Sequence, residues 1–317
     1  MQTEQRKKLM LLINPNAGRG MYRMYMAEML SAFHQAGWLT TVYFTDGVGD
    51  ATELAAREAP GYDRIVCVGG DGTLSETVAG LTRCEAAPPL GYIPLGTTND
   101  CANTLGLSRF PGVAARTAAA GRRITLDTGC FRGGENTAEE SFVYVAAFGA
   151  FTEVSYVTPQ GTKHLLGQLA YFLEAAHRLP RVAHHVARVT CDGQVVEGDF
   201  IYGSVTNSRS VAGLIRLRER AGVDLSDGMF ELILVRNPLD ARDLGNAIGD
   251  LLGGNFNNRS VILLHGREIH FDFDEPVAWT RDGESGGSHA SVTIRNRHGA
   301  LHMVVGDRDI PVSEAEE

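Results

Sequence analysis

The chain has 317 residues, of which 44% are hydrophobic and 21% are charged, and its formal net charge at pH 7 is -9. That length exceeds one ordinary domain and predicts two, each with enough apolar residues for its own core. The negative charge argues against nucleic acid as a partner and against broad electrostatic binding to anionic membranes.

Cysteine spacing and the length of apolar runs predict the cellular compartment. The five cysteines are scattered and form no C-x-x-C pair, as expected of reduced thiols in the cytoplasm rather than of a disulfide framework. The nearest candidate for a membrane span, Phe142 to Phe151, is far too short to cross a bilayer. We therefore expect a soluble, cytoplasmic protein whose contact with membranes is peripheral.

The first 125 residues alternate short apolar runs with helical patterns. The predicted strands are Leu9–Ile13, Thr40–Thr45, Ile65–Val68 and Leu90–Ile93. The predicted helices are Tyr22–Ala36, Gly49–Glu58, Leu74–Leu81 and one that follows Asp100. Short apolar strands separated by helices indicate βαβ units, so residues 1–125 are predicted to form an α/β domain with a parallel sheet.

The pattern changes after Arg123. The predicted strands there are Ile124–Phe131, Phe142–Phe148, Val186–Cys191, Val195–Thr206, Phe230–Val235, Val261–Leu264, Glu268–Phe273 and Val277–Trp279. Two helical stretches, His164–Arg178 and Asp240–Leu252, interrupt them. Asp192-Gly193, between two of the strands, is typical of a hairpin turn. Residues 126–317 are therefore predicted to form a mostly antiparallel β-sandwich, whose C-terminal segment can return to the first domain.

The strongest motif is Gly69-Gly70-Asp71-Gly72-Thr73, which lies between a predicted strand and a predicted helix. Glycines at a strand end let backbone N–H groups approach a ligand without an intervening Cβ, and the following helix N-terminus favours a phosphate. Because Asp71 would repel a bare phosphate, its carboxylate is better suited to act through Mg²⁺. The structural alternative is a tight turn with a capping box, since Thr73 and Glu76 have the S/T-x-x-E spacing.

Two further loops follow predicted strands in the same way. Gly96-Thr97-Thr98-Asn99-Asp100 carries a second aspartate, although Asp100 could serve only as a helix N-cap. Asn14 to Gly20 is by itself a common type of turn, in which Arg19 could contact a phosphate. Because ligands of open α/β sheets bind at the carboxyl ends of the strands, the three loops together predict one phosphate-binding site. No G-x-G-x-x-G follows a strand, and the Walker and protein-kinase motifs are absent.

Two predicted turns in the second region carry carboxylate side chains. Asp282-Gly283-Glu284 follows an apolar strand and could be a surface Asp-Gly turn. Asp224-Leu225-Ser226-Asp227-Gly228-Met229 could be an ordinary loop before the strand at Phe230. Residue chemistry alone leaves both alternatives open.

In their order along the chain, these motifs resemble those of the bacterial soluble diacylglycerol kinases and of their sphingosine and ceramide kinase relatives. Val68 to Glu76 looks like the nucleotide motif of that family, Pro94 to Asp100 is similar to its second motif, and Asn14 to Gly20 resembles its first phosphate loop. The GGDGT element is shared with NAD kinases, whereas GT-x-ND is more particular to the lipid kinases. The resemblance covers nearly the whole chain, and it implies an α/β nucleotide-binding domain, a lipid-binding β-sandwich and an active site in the cleft between them.

The resemblance also implies a role for each candidate residue. Glu284 would be the general base, and Asp71 and Asp100 would organise catalytic Mg²⁺. A structural Mg²⁺ would bind at Asp227, near Asp224 and Met229. ATP would contact Asn14, Asn16, Gly18, Thr45, Gly70, Asp71, Gly72, Thr73, Leu74, Ser75, Glu76 and Thr97.

The implied reaction is transfer of the ATP γ-phosphate to a hydroxyl of a membrane lipid, with diacylglycerol as the expected substrate and phosphatidic acid as the product. Two alternatives stay open. The first is an NAD kinase-like enzyme, against which Thr97 to Asp100 argues, and the second is a non-catalytic lipid- or nucleotide-binding regulator, against which the intact carboxylates argue. A homodimer also stays open. The mixed apolar and basic segment Leu214 to Arg220 is predicted to contact the membrane, with solvated arginines on a strand edge as an equally good alternative.

Overall fold

The computed structural model describes residues 6–97, 99–134, 137–150, 183–208, 210–211, 215–216 and 224–307. The predicted helix His164–Arg178 lies outside these residues, as does Leu214 to Arg220 apart from Ile215 and Arg216. Among the described helices, none combines the length and the apolar character that crossing a membrane requires. The chain divides into two compact units, Met1–Leu126 with Gly299–Glu317 and Asp127–His298.

The first unit is built on parallel strands separated by helices. Its strands are β1 (Lys8–Ile13), β2 (Leu39–Phe44), β3 (Arg64–Gly69) and β4 (Leu90–Pro94). Its helices are α1 (Tyr22–Gln35), α2 (Asp50–Glu58), α3 (Asp71–Leu81), α4 (Asp100–Thr104) and α5 (Pro111–Ala120). β1 pairs in parallel with β2 and with β3, and β3 pairs in parallel with β4. The carboxyl ends of the four strands therefore meet at one edge of the sheet.

Continuous apolar strands explain why this sheet forms. Leu9–Ile13 is completely buried, as expected when helices cover both faces of a parallel sheet. On one face, strand residues such as Leu11 and Val66 pack with Phe33 of α1 and Ala115 of α5 in one apolar core.

The second unit is antiparallel, which confirms the β-rich region predicted for the C-terminal half. Its strands are β5 (Arg122–Gly133), β6 (Glu140–Phe142), β7 (Val145–Gly149), β8 (His185–Cys191), β9 (Gln194–Thr206), β10 (Ser210–Val211), β11 (Ile215–Arg216), β12 (Phe230–Arg236), β13 (Val261–Gly266), β14 (Glu268–Arg281) and β15 (Glu284–Val305). The unit boundaries fall within β5 and within β15. Among the described residues of this unit, the helix α6 (Ala241–Gly253) begins after Asp240, whose side chain caps it, and ends at Gly254 in the left-handed conformation.

The core of the second unit is a cluster of aromatic rings. The Phe148 ring lies 5.0 Å from the rings of both Phe273 and Trp279 and 5.9 Å from that of Phe271, measured between centroids. These side chains come from β7 and β14, which pair directly. Tilted and edge-on aromatic pairs of this kind add to the stabilisation that comes from burial.

Several strand boundaries differ from the predicted ones. The predicted strand Phe142–Phe148 is two strands, β6 and β7, because the N–H groups between them bond to a carboxylate instead of to a neighbouring strand. The predicted strands Glu268–Phe273 and Val277–Trp279 are one strand, β14, whose register shifts between Asp272 and Val277. No strand was predicted over the polar stretch that forms most of β15.

Candidate active site

The N-cap residue of α3 is Gly70, which has no side chain to cap the backbone N–H groups of the helix. β3 ends at Gly69, Gly70 is extended, and α3 begins at Asp71 without a capping side-chain hydrogen bond among the described residues. A Cβ on Gly69 would lie 2.6 Å from the Thr73 side chain, so this strand end requires glycine. An uncapped helix N-terminus of this kind suits an anionic ligand.

The capping-box alternative for this turn is wrong. The Thr73 hydroxyl accepts a hydrogen bond of 2.9 Å from the Asn14 side-chain amide, which belongs to the loop after β1. The Glu76 carboxylate accepts the Gly49 N–H at 2.9 Å, which connects α3 to the start of α2. Both side chains therefore join neighbouring loops, and neither caps its own helix.

The loop after β4 brings the second aspartate to the first. Asn99 is 3% exposed and left-handed, with φ of 52° and ψ of 52°, and its side-chain amide donates to the Gly96 carbonyl at 2.7 Å. The N-cap of α4 is therefore Asn99, so the alternative that Asp100 serves as an N-cap is wrong. The Asp100 N–H donates to the Asp71 carboxylate at 3.1 Å. Thr98 lies outside the described residues.

Two glycines allow these loops to approach each other. A Cβ on Gly96 would lie 2.7 Å from the Gly70 Cα, a distance that backbone cannot accommodate without moving. Gly18, with φ of 57°, is similarly close, because a Cβ there would lie 2.6 Å from the Leu95 carbonyl oxygen. The loops after β1, β3 and β4 are therefore packed into one cluster at the carboxyl edge of the sheet.

The carboxylates of Asp71 and Asp100 place two negative charges close together. Asp100 is 5% exposed, and its burial, together with the charge of Asp71, raises its pKa to about 7, while Arg109 acts in the opposite direction. One carboxylate oxygen of Asp100 is buried without a hydrogen-bond partner among the described residues. A divalent cation would both neutralise this pair and satisfy that oxygen, so the donor set fits Mg²⁺.

The remaining residues predicted to bind nucleotide lie in or beside the same cluster. The Asn14 side chain accepts the Asn16 N–H at 2.9 Å, which holds the loop after β1 in a turn. Thr45 is buried, and its N–H donates to the Ile13 carbonyl at 3.0 Å. Gly72, Leu74 and Ser75 lie in the first turns of α3, and Thr97 is exposed one residue after Gly96. The structure thus groups these residues at the sheet edge where the sequence predicts a phosphate site.

In the second unit, Asp282-Gly283 forms the predicted turn, between β14 and β15. Both residues have positive φ, 47° and 86°, which matches a two-residue hairpin turn. Asp282 is nevertheless 3% exposed, and its carboxylate accepts the N–H groups of Val143, Tyr144 and Val145, where β6 leads into β7, at 2.7 to 3.1 Å. Glu284, next to this anchored turn, is exposed and opens β15 opposite Arg281.

Removing the Asp282 carboxylate should destabilise the second unit. Asp282→Ala leaves three N–H groups without their acceptor, so we expect the free energy of unfolding to fall by about 3 kcal/mol. The two tryptophans of the chain, Trp38 and Trp279, lie in different units. Urea unfolding followed by the fluorescence of Trp279, in a Trp38→Phe background, therefore reports on the second unit. Asp274→Ala on the exposed side of β14 is the control, and equal midpoints for the two variants would contradict the prediction.

The loop predicted to hold a structural metal is closed by its own hydrogen bonds. The Asp224 carboxylate accepts the N–H and hydroxyl of Ser226 at 2.9 and 3.1 Å, and the Asp227 carboxylate accepts the Met229 N–H at 2.8 Å. Burial raises the pKa of Asp227, and the charges of Asp224 and Asp127 raise it further. In the described part of the chain no three His, Cys, Asp or Glu side chains converge as a metal-binding group, so a cation here would also need backbone or water oxygens.

Sequence reasoning did not single out Asp127, which organises this loop. Its carboxylate is 1% exposed and lies within hydrogen-bond distance of the Gly228 N–H (2.7 Å), the Asn296 amide (3.3 Å) and the His298 ring (3.0 Å). A single charged residue in the predicted strand Ile124–Phe131 was the available signal, because a buried charge requires partners.

The comparisons with known proteins agree with this geometry. Residues 8–131 match the family described as diacylglycerol kinase catalytic domain, and residues 145–305 match the YegS C-terminal NAD kinase beta sandwich-like domain. A diacylglycerol kinase of Bacillus subtilis (strain 168) is 33% identical over 302 residues, which cover 94% of this chain and 96% of that protein. A diacylglycerol kinase of Staphylococcus carnosus (strain TM300) is 30% identical over 284 residues, covering 89% and 90%.

Solved structures show the same fold. A crystal structure of a diacylglycerol kinase from Bacillus anthracis str. Sterne superposes with a TM-score of 0.73 at 22% identity, covering 96% of this chain and 99% of the other. Another chain from the same organism reaches a TM-score of 0.77 at 23% identity, with the same coverage. Two family matches in order and one-third identity over nearly the whole length lead to one conclusion: the chain belongs to the diacylglycerol kinase family of lipid kinases.

Proposed function

We propose that the protein transfers the γ-phosphoryl group of ATP to a hydroxyl of a membrane lipid, converting a diacylglycerol to phosphatidic acid, in the cytoplasm and at the membrane surface. The observation that carries this proposal is the contact between Asp71 and Asp100 at the uncapped start of α3. The names of the relatives support diacylglycerol as the acceptor. The bond from the γ-phosphorus to the bridging oxygen breaks, a bond to the lipid oxygen forms, and ADP leaves.

The loop cluster of the first unit would bind the nucleotide. Its backbone N–H groups, at the start of α3 and in the loops around Gly18 and Gly96, would contact phosphate oxygens, since no side chain intervenes at these glycines. Asn14 and Thr73 would position this surface through their mutual hydrogen bond. Asn16, Thr45, Thr97 and the run Gly70 to Glu76 complete the proposed contacts.

Asp71 and Asp100 would hold Mg²⁺. Their adjacent carboxylates and the unsatisfied buried oxygen of Asp100 support this assignment. When bound, the ion neutralises the charge of the phosphates and of the leaving ADP. The carboxylate of Asp71, a proposed metal ligand, is already held in position before ATP binds, because it accepts the Asp100 N–H.

Glu284 would accept the proton of the lipid hydroxyl. Its exposed carboxylate is available to a substrate, and the hairpin that carries it is anchored by the buried Asp282. A general base of this kind must be held in place but must not be consumed by internal hydrogen bonds. In the second unit we also propose a structural Mg²⁺ at Asp227, near Asp224 and Met229, where the accumulated carboxylate charge supports a cation.

The test is a phosphorylation assay with labelled ATP and Mg²⁺. Mixed micelles would present diacylglycerol, ceramide, sphingosine or monoacylglycerol, and NAD would be offered in a parallel reaction. We expect the label in phosphatidic acid. Label in NADP would instead support the NAD kinase alternative, and no labelled product from any acceptor would support a non-catalytic regulator.

A further inference from the structure

The first turns of α1 and α5 expose apolar side chains at one end of the first unit. Met24 on α1 is 77% exposed and Phe110, directly before α5, is 75% exposed. Met21, Phe44 and Val113 are exposed as well. Single exposed apolar residues are common, but a group of five at one edge of a domain is typical of an interaction surface. We call these five residues the apolar rim.

The two helices lie side by side in the same direction. Near the middle of both helices, Arg116 of α5 contacts Glu28 of α1 at 3.4 Å, and a Cβ on Gly112, in the first turn of α5, would collide with the Glu28 carboxylate. Near their C-terminal ends, the ring N–H of Trp38, which follows α1, donates to the carbonyl of Ala119 in the last turn of α5, at 2.9 Å. Both helices therefore begin at the same end of the unit, which brings their exposed first turns to one side.

That side is the edge that carries the candidate active site. α1 follows the carboxyl end of β1, and α5 follows the carboxyl end of β4 after the short helix α4. Phe44 is the last residue of β2, and its ring packs edge-on against Tyr22 of α1, with 5.5 Å between centroids. The apolar rim thus borders the loops in which we place the phosphates.

Two arginines accompany the rim. The Arg23 guanidinium lies 5.7 Å from the centre of the Tyr22 ring, and no ion pair of Arg23 occurs among the described residues. Arg109 precedes Phe110 and donates to the Asn103 side chain at 3.2 Å. Positive charge beside exposed apolar groups, in a chain of net charge -9, complements an anionic lipid surface.

We propose that the apolar rim, with Arg23 and Arg109, is the surface through which the protein binds an anionic phospholipid bilayer. The proposal rests on the proposed function, because a lipid acceptor must reach the phosphate loops from a membrane. Insertion of the rim would bring the carboxyl edge of the sheet to the bilayer. A second copy of the chain is the less favourable occupant, since a two-fold interface would bring the same positively charged surface of both copies together.

The test measures binding to sedimented vesicles of phosphatidylcholine and phosphatidylglycerol, without diacylglycerol or ATP. In Met24→Gln/Phe110→Gln, we expect partitioning onto the vesicles to fall about tenfold, because two apolar side chains no longer insert. Arg23→Gln should weaken it about fivefold, and only on vesicles that contain phosphatidylglycerol. Glutamine is as good a helix former as methionine, so the fold should persist.

Leu239→Gln is the matched control, because Leu239 is also 77% exposed but belongs to the second unit. It should bind vesicles as the unchanged protein does. If Met24→Gln/Phe110→Gln binds vesicles as strongly as the unchanged protein does, the proposal is overturned. It is also overturned if analytical ultracentrifugation shows that the unchanged protein is a dimer and the double variant is a monomer.

A water-soluble, short-chain diacylglycerol separates this proposal from the proposed function. The double variant should phosphorylate it as fast as the unchanged protein, although it loses activity on vesicles. If the unchanged protein phosphorylates the soluble lipid but does not bind vesicles, the proposed membrane role of the apolar rim is overturned and the kinase assignment is kept. Vesicle binding without phosphorylation of any lipid would support the rim and contradict the kinase assignment.

Discussion

Asp71→Asn should lower kcat for lipid phosphorylation by about 10³-fold, equivalent to about 4 kcal/mol of transition-state stabilisation. The substitution removes one charge from the pair that we assign to Mg²⁺, while the side chain can still accept the Asp100 N–H. The measurement is kcat with diacylglycerol in mixed micelles at saturating Mg²⁺. The thermal transition should be nearly unchanged, because Asn fills the same volume.

A second measurement separates metal binding from general damage. Calorimetry of ATP binding with and without Mg²⁺ should show that the ion strengthens binding less in Asp71→Asn than in the unchanged protein. Asp50→Asn is the matched control, since Asp50 is likewise the first residue of a helix, and its carboxylate accepts the Asp46 N–H at 2.9 Å. Near-normal turnover by Asp71→Asn would show that the start of α3 does not organise the metal.

Glu284→Gln should lower kcat by about 10²- to 10⁴-fold, the usual contribution of a general base. A primary alcohol is a poor nucleophile at neutral pH, and glutamine keeps the size of glutamate but cannot take the proton. The hairpin should be preserved, because it is held by Asp282 and by the positive φ of Asp282 and Gly283. ATP affinity, measured by calorimetry, should change little.

The control for this variant is Glu275→Gln, an exposed glutamate on β14 of the same unit, which should leave kcat unchanged. Two outcomes would contradict the assignment. If ATP binding is lost together with kcat, Glu284 is a metal or nucleotide ligand. If neither quantity changes, Glu284 is only part of a turn.

The sequence by itself determined the four parallel strands and the helices α1, α2 and α3 of the first unit to within a few residues, but it predicted one helix after Asp100 where the structure has two, α4 and α5. Strands buried on both faces are continuous apolar runs, and the glycine-rich loops between them mark where each strand ends. The Asp-Gly turns at 192–193 and 282–283 could also be predicted from the sequence. Both residues of each turn have positive φ, a conformation that favours Asp and Gly whatever their neighbours in space. Features that depend on neighbours in the chain could therefore be predicted from residue order.

Only the tertiary structure decided how the polar side chains are used. Thr73 and Glu76 have the spacing of a capping box, yet each bonds to a different loop. Asp127 and the Gly228 N–H that it accepts are 101 residues apart, and Asp282 bonds to a segment 137 to 139 residues away. A buried carboxylate takes whichever donors the fold brings within reach, and that choice follows from packing and not from spacing along the chain.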